Sequence, residues 1–412
     1  MVGGMDAGLV PLSARMSIFA KAGSRFTVVS SYFPPIVGGT ATVVHNLLTG
    51  FRRDAFTVVA EDPSSFDGTH LGRAADDMNV VRFGVPAFIT QRIPYGVKWA
   101  RWLRFALIPR IEAAIKASKP DLVIAVYPSW PFLIAAYRAA RGLGVPFYTY
   151  HMDVTAPPAD LRWPDRLAAA FHDTRIIREA SGRLALSAGV RENFRARLGL
   201  DTTVIHHSVQ VREPLPPSKV SVPTSGRTVV HTGVVEELQT EGLLRIKETL
   251  DQNPSLNARL LLSTPTHRAS LALFGGVEIK ALPHDKVSEL QASADILVAV
   301  LPFNTAASYH QLTSFPTKVT EYMLSGVPIL AHAPRESYFS RHVAEHGYAY
   351  LVDTPSHAAL AAAIRELFGN ENLRAQLTEA ARRTVREIFS STAVAREFAA
   401  ACNLSPSLLL NS

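Results

Sequence analysis

Thr313-Ser314-Phe315-Pro316-Thr317-Lys318-Val319-Thr320-Glu321-Tyr322-Met323-Leu324-Ser325-Gly326-Val327-Pro328 is the stretch whose reading decides the fold. Pro316 stands where a helix could begin, because proline gives up no hydrogen bond at the first helical position. Thr317 and Lys318 then fall in the first turn. The free N–H groups of that turn, with a lysine ammonium, make a cradle for a diphosphate. Glu321 follows Lys318 by three residues, so both lie near one helix face. A carboxylate there can accept two hydrogen bonds from a ribose diol. An ordinary surface lysine–glutamate pair has the same spacing and contributes only a few tenths of a kcal/mol, so spacing alone does not choose.

Working outward, short apolar runs rich in β-branched residues alternate with longer amphipathic stretches. Upstream, the strand candidates are Phe26–Ser30, Phe56–Ala60, Val80–Phe83, Asp121–Tyr127, Val145–His151, Gly182–Ser187 and Val204–His207. Helices are expected over 40–51, 97–117 and 131–141. A Pro/Ser-rich stretch, with Pro214, Pro216, Pro217, Ser218, Ser221, Pro223 and Ser225, interrupts the rhythm and reads as a linker. The rhythm restarts with Thr228–Thr232, Ala258–Ser263, Val277–Leu282, Ile296–Val300, Pro328–Ala331 and Tyr348–Val352. Two successive strand–helix series imply two facing, doubly wound parallel sheets of the Rossmann-like α/β class, with a cleft between them. Ligands bind such sheets beyond the carboxyl ends of the strands. The division expected is a loose leader over 1–25, a first domain over 26–208, a linker over 209–226, a second domain over 227–385, and a C-terminal helix over 386–412 that crosses back to the first domain.

Two further features fall at strand ends. After the first strand comes Tyr32-Phe33-Pro34-Pro35-Ile36-Val37-Gly38-Gly39-Thr40, and then a helix. Glycines there let a phosphate or sugar hydroxyl approach the backbone and the helix N-terminus. They could equally serve a tight turn. His151 ends an apolar strand, and Asp153 is the next polar side chain. A histidine so placed points into the ligand crevice and titrates near neutrality, or it is a satisfied structural residue.

Taken together, the order of elements, the Pro-Pro-x-x-Gly-Gly loop, the His151 strand end and the Phe315–Pro328 block resemble the family-4 glycosyltransferases of the GT-B fold. The likeness runs from about Phe26 to Phe398. The resemblance implies that Gly38, Gly39, Gly233, Leu282, Phe315, Pro316, Thr317 and Lys318 hold the donor and that Glu321 binds its ribose. It implies a catalytic pair, His151 and Asp153, beside the donor sugar. It also implies transfer from a nucleotide-diphosphate sugar to a glycan, lipid-linked or small-molecule acceptor, with retention and without metal or cofactor. There are departures. The family often has a glutamate where Thr313 stands, and many members place an arginine after the glycine that matches Gly233, where this chain reads Val234-Val235-Glu236-Glu237. Phosphate neutralisation then falls to Lys318 and helix dipoles, or to His267 or Arg268. A nucleotide-sugar epimerase and a non-catalytic GT-B subunit are the rival readings.

Composition agrees with this class. In 412 residues, 47% hydrophobic and 19% charged, sizeable cores are possible and global disorder is excluded. The single cysteine, Cys402, rules out a disulfide framework within the chain and a cysteine zinc site. No apolar run approaches the roughly 20 residues of a membrane span, so the expectation is a cytoplasmic protein, free or peripheral at the inner face of the membrane. The net charge of +7 is spread along the chain without a dense basic tail, and nucleic acid is not an expected partner. Motifs for metal-dependent GT-A transferases, P-loop enzymes and α/β-hydrolases do not occur. His342-Val343-Ala344-Glu345-His346 matches a zinc-hydrolase pattern, but Gly347 ends the helix at once, which favours a capping turn.

Overall fold

The computed structural model describes residues 25–36, 38–65, 75, 77–84, 104–127, 130–152, 174–219, 221, 226–235, 237–266, 268–303 and 313–410. Two wholly parallel sheets organise them. The first holds β1 (Phe26–Ser30), β2 (Phe56–Glu61), β3 (Val80–Phe83), β4 (Leu122–Tyr127), β5 (Phe147–His151), β6 (Gly182–Ala185) and β7 (Thr203–Val204), in the order β3-β2-β1-β4-β5-β6-β7. The second holds β8 (Arg227–Thr232), β9 (Ala258–Ser263), β10 (Glu278–Lys280), β11 (Ile296–Val300), β12 (Ile329–His332) and β13 (Ala349–Val352), in the order β10-β9-β8-β11-β12-β13. Strand order reverses between β1 and β4 in one sheet and between β8 and β11 in the other. Those switch points are where an open α/β sheet leaves a crevice at the strand carboxyl ends.

The helices are α1 (Gly39–Leu48), α2 (Ile108–Ala117), α3 (Trp130–Leu143), α4 (Thr174–Glu179) and α5 (Ala188–Leu198) around the first sheet. Around the second lie α6 (Glu237–Gln252), α7 (His284–Ser293), α8 (Lys318–Leu324), α9 (Tyr338–His346), α10 (His357–Gly369) and α11 (Glu371–Thr384), followed by α12 (Ser391–Ala401). Helices on both faces explain why the central strands are apolar without alternation: β1, β4 and β11 are buried at every residue. Several helices start on a serine or asparagine whose side chain accepts the N–H three residues on, as Ser187, Ser337, Ser356, Asn370 and Ser390 do.

The chain crosses between the domains twice, side by side. Val209 N–H donates to Phe389 O at 2.8 Å, and Ser391 N–H donates to Val209 O at 3.0 Å. Beyond that crossing α12 returns to the first domain. Phe398 packs its ring against Phe51 at 5.8 Å and Phe26 at 6.1 Å, inside the core that also holds Val28 and Val44.

The Pro/Ser-rich stretch differs from a free spacer where it is described. Lys219 pairs with the buried Asp295 at 2.8 Å, and its carbonyl accepts Arg374 Nε at 3.0 Å. Arg374 is wholly buried and also donates to Asp295 O and Leu367 O at 3.0 and 3.2 Å. The Lys219 carbonyl, in a segment without regular structure, is thus satisfied by an arginine from a helix more than a hundred and fifty residues away. Of the helix expected over 97–117, α2 covers 108–117, and 97–103 lie outside the described residues, as does the leader up to residue 24.

Candidate functional site

The site forms where β8 parts from β11. The two strands stay in register only as far as Leu297 opposite Val230. Beyond that, side chains fill the gap. His231 Nδ1 lies 3.2 Å from Val298 O, and Thr232 N–H donates to Tyr322 Oη at 2.9 Å. Gly233 comes next with φ 108, in the left-handed region that disfavours any residue with a Cβ. A Cβ there would also sit 2.6 Å from Lys318 Nζ. The backbone conformation demands glycine at 233, and a side chain there would displace the end of Lys318. The lysine ammonium lies over that glycine, 3.2 Å from His231 Nε2.

Glu321 lies on the same helix as Lys318, and Gln291 holds it from α7. The Gln291 amide donates to Thr232 Oγ1 at 3.0 Å and to Glu321 Oε2 at 3.4 Å. Gly233 and the distant pair Lys318 and Glu321 thus meet at the switch point of the second sheet. One cation, one carboxylate and a backbone left bare by glycine can hold a diphosphate and a diol together. Burial drives the His231 pKa well below its ordinary value and the neighbouring Lys318 charge adds to this, against the carbonyls of Val298 and Val234. His231 is therefore a neutral imidazole.

The other expected donor residues fall as follows. The helix of the deciding stretch starts at Lys318, with Thr317 as its cap and no side-chain capping bond, and it spans seven residues. Pro316 is therefore not at the first helical position. Its carbonyl accepts the Val319 N–H at 3.0 Å and opens a turn ahead of the helix. The Phe315 ring packs against His342 at 5.1 Å, Phe389 at 5.3 Å and His207 at 5.4 Å. That side chain fastens the domain crossing and is not turned to the diphosphate cradle. Leu282 lies half-buried in the loop between β10 and α7. In the first domain, Gly38 has extended backbone at φ 167, and a Cβ on Gly38 or Gly39 would meet nothing within 4 Å. A tight turn does not require these glycines. They leave open the space that side chains would take at the start of α1.

His151 departs from its expectation. It ends β5, yet its side chain is wholly buried and does not open on the crevice. The ring sits 4.3 Å from Phe194 of α5 and 5.2 Å from Tyr127, with Nε2 2.9 Å from Thr149 Oγ1. Burial, with a smaller push from Arg183, lowers its pKa to about 3. A helix packed over the strand end explains the difference, because Phe194 occupies the room that an outward ring would need. Asp153 and His267 lie outside the described residues.

The zinc-hydrolase pattern resolves as a helix end. Gly347 caps α9 at φ 66, and His342 Nδ1 pairs with Tyr348 Oη at 3.1 Å. Among the described residues no group of three or more histidine, cysteine, aspartate or glutamate side chains could hold a metal ion. No helix among them is long and apolar enough to cross a membrane.

Sequence reasoning missed His231, Gln291 and the role of Thr313. A histidine next to the carboxyl end of an apolar strand was the available signal for His231. Thr313 O accepts Ser187 Oγ at 3.1 Å from the first domain, and a Cβ on Gly189 would lie 2.8 Å from Thr313 Cα. Position 313 is thus a domain contact in this chain.

Residues 38–207 match the model of the glycosyl transferase 4-like domain, and residues 278–384 match that of the glycosyl transferases group 1. No curated protein matches the chain by sequence. Among solved structures, Anabaena HepE in complex with UDP and glucose superposes with a TM-score of 0.64 at 17% identity, over 92% of this chain and 98% of that one. The Escherichia coli "trehalose-6-phosphate" structure bound with UDP-2-fluoro glucose gives 0.64 at 12% identity, over 92% and 99%. The lipopolysaccharide outer core galactosyltransferase WaaB gives 0.56 at 13% identity, over 92% and 98%. The fold is GT-B.

Proposed function

We propose that the chain is a glycosyltransferase that moves a sugar from a nucleoside-diphosphate sugar to a glycan, lipid-linked or small-molecule acceptor, a reading supported by the glycosyl transferase 4-like and group 1 matches on a GT-B frame. The observation that carries this reading is the meeting of Gly233, Lys318 and Glu321 at the switch point of the second sheet. A uridine diphosphate sugar is the first donor to try, because the structures of HepE hold UDP and UDP-glucose.

The chemistry asked of the protein is mainly electrostatic. Breaking the sugar–phosphate bond leaves charge on the departing diphosphate while the sugar becomes oxocarbenium-like. Lys318, fixed beside Gly233, faces that charge where it grows. The N–H groups of α1, opened by Gly38 and Gly39, would add fixed dipoles from the opposite wall. Transfer with retention lets the leaving phosphate take the acceptor proton. No general base is assigned, and buried His151 is left out of the chemistry. The reaction proceeds without metal or cofactor, at the cytoplasmic side, free or against the membrane surface.

One experiment tests the reading. The melting temperature is followed with UDP, UDP-glucose and other nucleoside diphosphates, and saturation at a hundred times Kd should add about 2.7 kcal/mol of stability. A protein that no nucleoside diphosphate stabilises would not be a transferase of this kind. Val234, an apolar residue 40% exposed where the resemblance expects arginine, favours a second reading as a non-catalytic nucleotide-binding subunit. Stabilisation by UDP without any sugar transfer or hydrolysis in excess chelator would select that one.

A further inference from the structure

We infer that His231 is a positioning residue for the donor diphosphate, because its Nε2 lone pair holds the Lys318 ammonium over Gly233. This rests on the reading of Lys318 as the diphosphate cation. The hydrogen-bond inventory assigns the protons. Val298 O can only accept, so at 3.2 Å it takes the Nδ1–H of His231. That leaves Nε2 with a lone pair. An ammonium can only donate, so at 3.2 Å the bond runs from Lys318 Nζ–H to Nε2. The imidazole is thus a two-ended brace between the edge of β11 and the lysine.

The brace exists because of the sheet geometry. β8 leaves β11 after Val230, which would orphan the Val298 carbonyl; the His231 ring reaches across to it. Tyr322 caps the Thr232 N–H in the same gap. His231 is 1% exposed, so it cannot meet a ligand itself and acts through the lysine. Lys318 needs such help. A four-carbon stem is flexible, and its rotamer entropy opposes any single placement of the charge. Gly233 supplies the room, and Val234 and Val235 behind it supply no base.

The groups around the ring decide its state. The carbonyls of Val298 and Val234 favour protonation, while burial and the Lys318 charge oppose it and prevail. A charged ring would present N–H to ammonium and push the lysine off. The neutral ring is the form that can hold it.

A double-mutant cycle tests the brace by calorimetry with UDP, or with GDP or ADP should one of these bind more tightly. His231→Phe should weaken nucleotide binding about tenfold, the scale of one lost hydrogen bond to a charged group. In a Lys318→Ala background the same change should cost almost nothing, since the group it positions is gone. His231→Gln, whose amide oxygen can accept from the ammonium, should recover part of the loss. Should His231→Phe not fold, His231→Met takes its place in the cycle, with similar bulk and no strong acceptor. Equal losses in both backgrounds, or unchanged affinity in a folded His231→Phe protein, would overturn the inference. A parent protein that binds no nucleoside diphosphate would overturn the reading beneath it, and so the inference as well. A parent that binds and weakens on Lys318→Ala but ignores His231 removes this inference alone.

Discussion

Two of the histidines buried near strand carboxyl ends, His151 on β5 and His231 on β8, do different things. His151 ends β5 beside Tyr127, Phe194 and Thr149, with only the smaller, more distant influence of Arg183 on its charge. His231 stands on β8 with one nitrogen on the sheet and the other on Lys318. Both are neutral because burial removes the charged form first. Strand position is therefore not what makes a histidine functional. The difference is set by what lies over the strand end: an aromatic helix face in the first domain, a cation from α8 in the second.

The largest expected effect breaks the comparison on the stability side. His151→Ala removes a wholly buried ring and leaves a cavity between β5 and α5. The cost should be about 2–4 kcal/mol of folding stability. Nucleotide affinity and turnover per folded molecule should hold. Denaturant unfolding and a transfer assay on one preparation would show it. A stable variant that loses turnover would restore His151 to the catalytic site.

Lys318→Ala should do the reverse. Nucleoside diphosphate binding should weaken by about 1.5–3 kcal/mol, the range for hydrogen bonds to charged groups, with the melting temperature nearly unchanged. Calorimetry and a thermal melt together decide it. Were the variant to unfold early and still bind UDP, the lysine would be a packing residue like His151.

The sheets were legible because buried parallel strands are apolar along their whole length. Phe26–Ser30, Val80–Phe83, Ala258–Ser263 and Ile296–Val300 have the same ends in sequence and structure. Lys318 and Glu321 could be named because helix spacing is local. What stayed hidden depended on distant partners. The direction of the His151 ring is set by Phe194, more than forty residues on. The place of the linker is set by Arg374. The brace on Lys318 needs the register of β8 against β11 to end at Val230, and no local pattern announces where two strands part.

Acid should treat the two histidines alike, which sharpens the contrast between their roles. His151 has its folded pKa lowered to about 3, against 6.5 when unfolded. The sign follows directly. Below pH 6.5 the unfolded chain binds a proton that the folded one refuses until about pH 3. Stability is therefore complete above pH 6.5 and falls as the pH drops toward 3, by up to about 1.4 kcal/mol per pH unit for each such group. His207, also held near 3 by burial, adds a similar slope. Unfolding free energies of the parent and of His151→Phe should differ in slope by about half a proton at pH 6.5, approaching one proton as the pH falls toward 5. Parallel curves would mean that the ring titrates in the folded protein as it does in the unfolded one.

The smallest effect separates ribose from phosphate within the second site. Glu321 keeps its Oε2 against the Gln291 amide, which leaves the carboxylate to accept from the two hydroxyls of a ribose. Glu321→Gln preserves one accepting oxygen, so the Gln291 contact can survive and the helix need not move. It replaces the second acceptor by an amide N–H₂, which cannot accept from a hydroxyl. UDP should therefore bind more weakly by about 0.5–1.5 kcal/mol, the net worth of one ordinary hydrogen bond, while inorganic pyrophosphate should bind as before. Lys318→Ala should weaken both ligands. The two variants thus assign the two halves of the nucleotide to two residues three apart on one helix. Equal losses of UDP and pyrophosphate in Glu321→Gln would mean that the carboxylate acts on Lys318 or the phosphates, and that the ribose is read elsewhere.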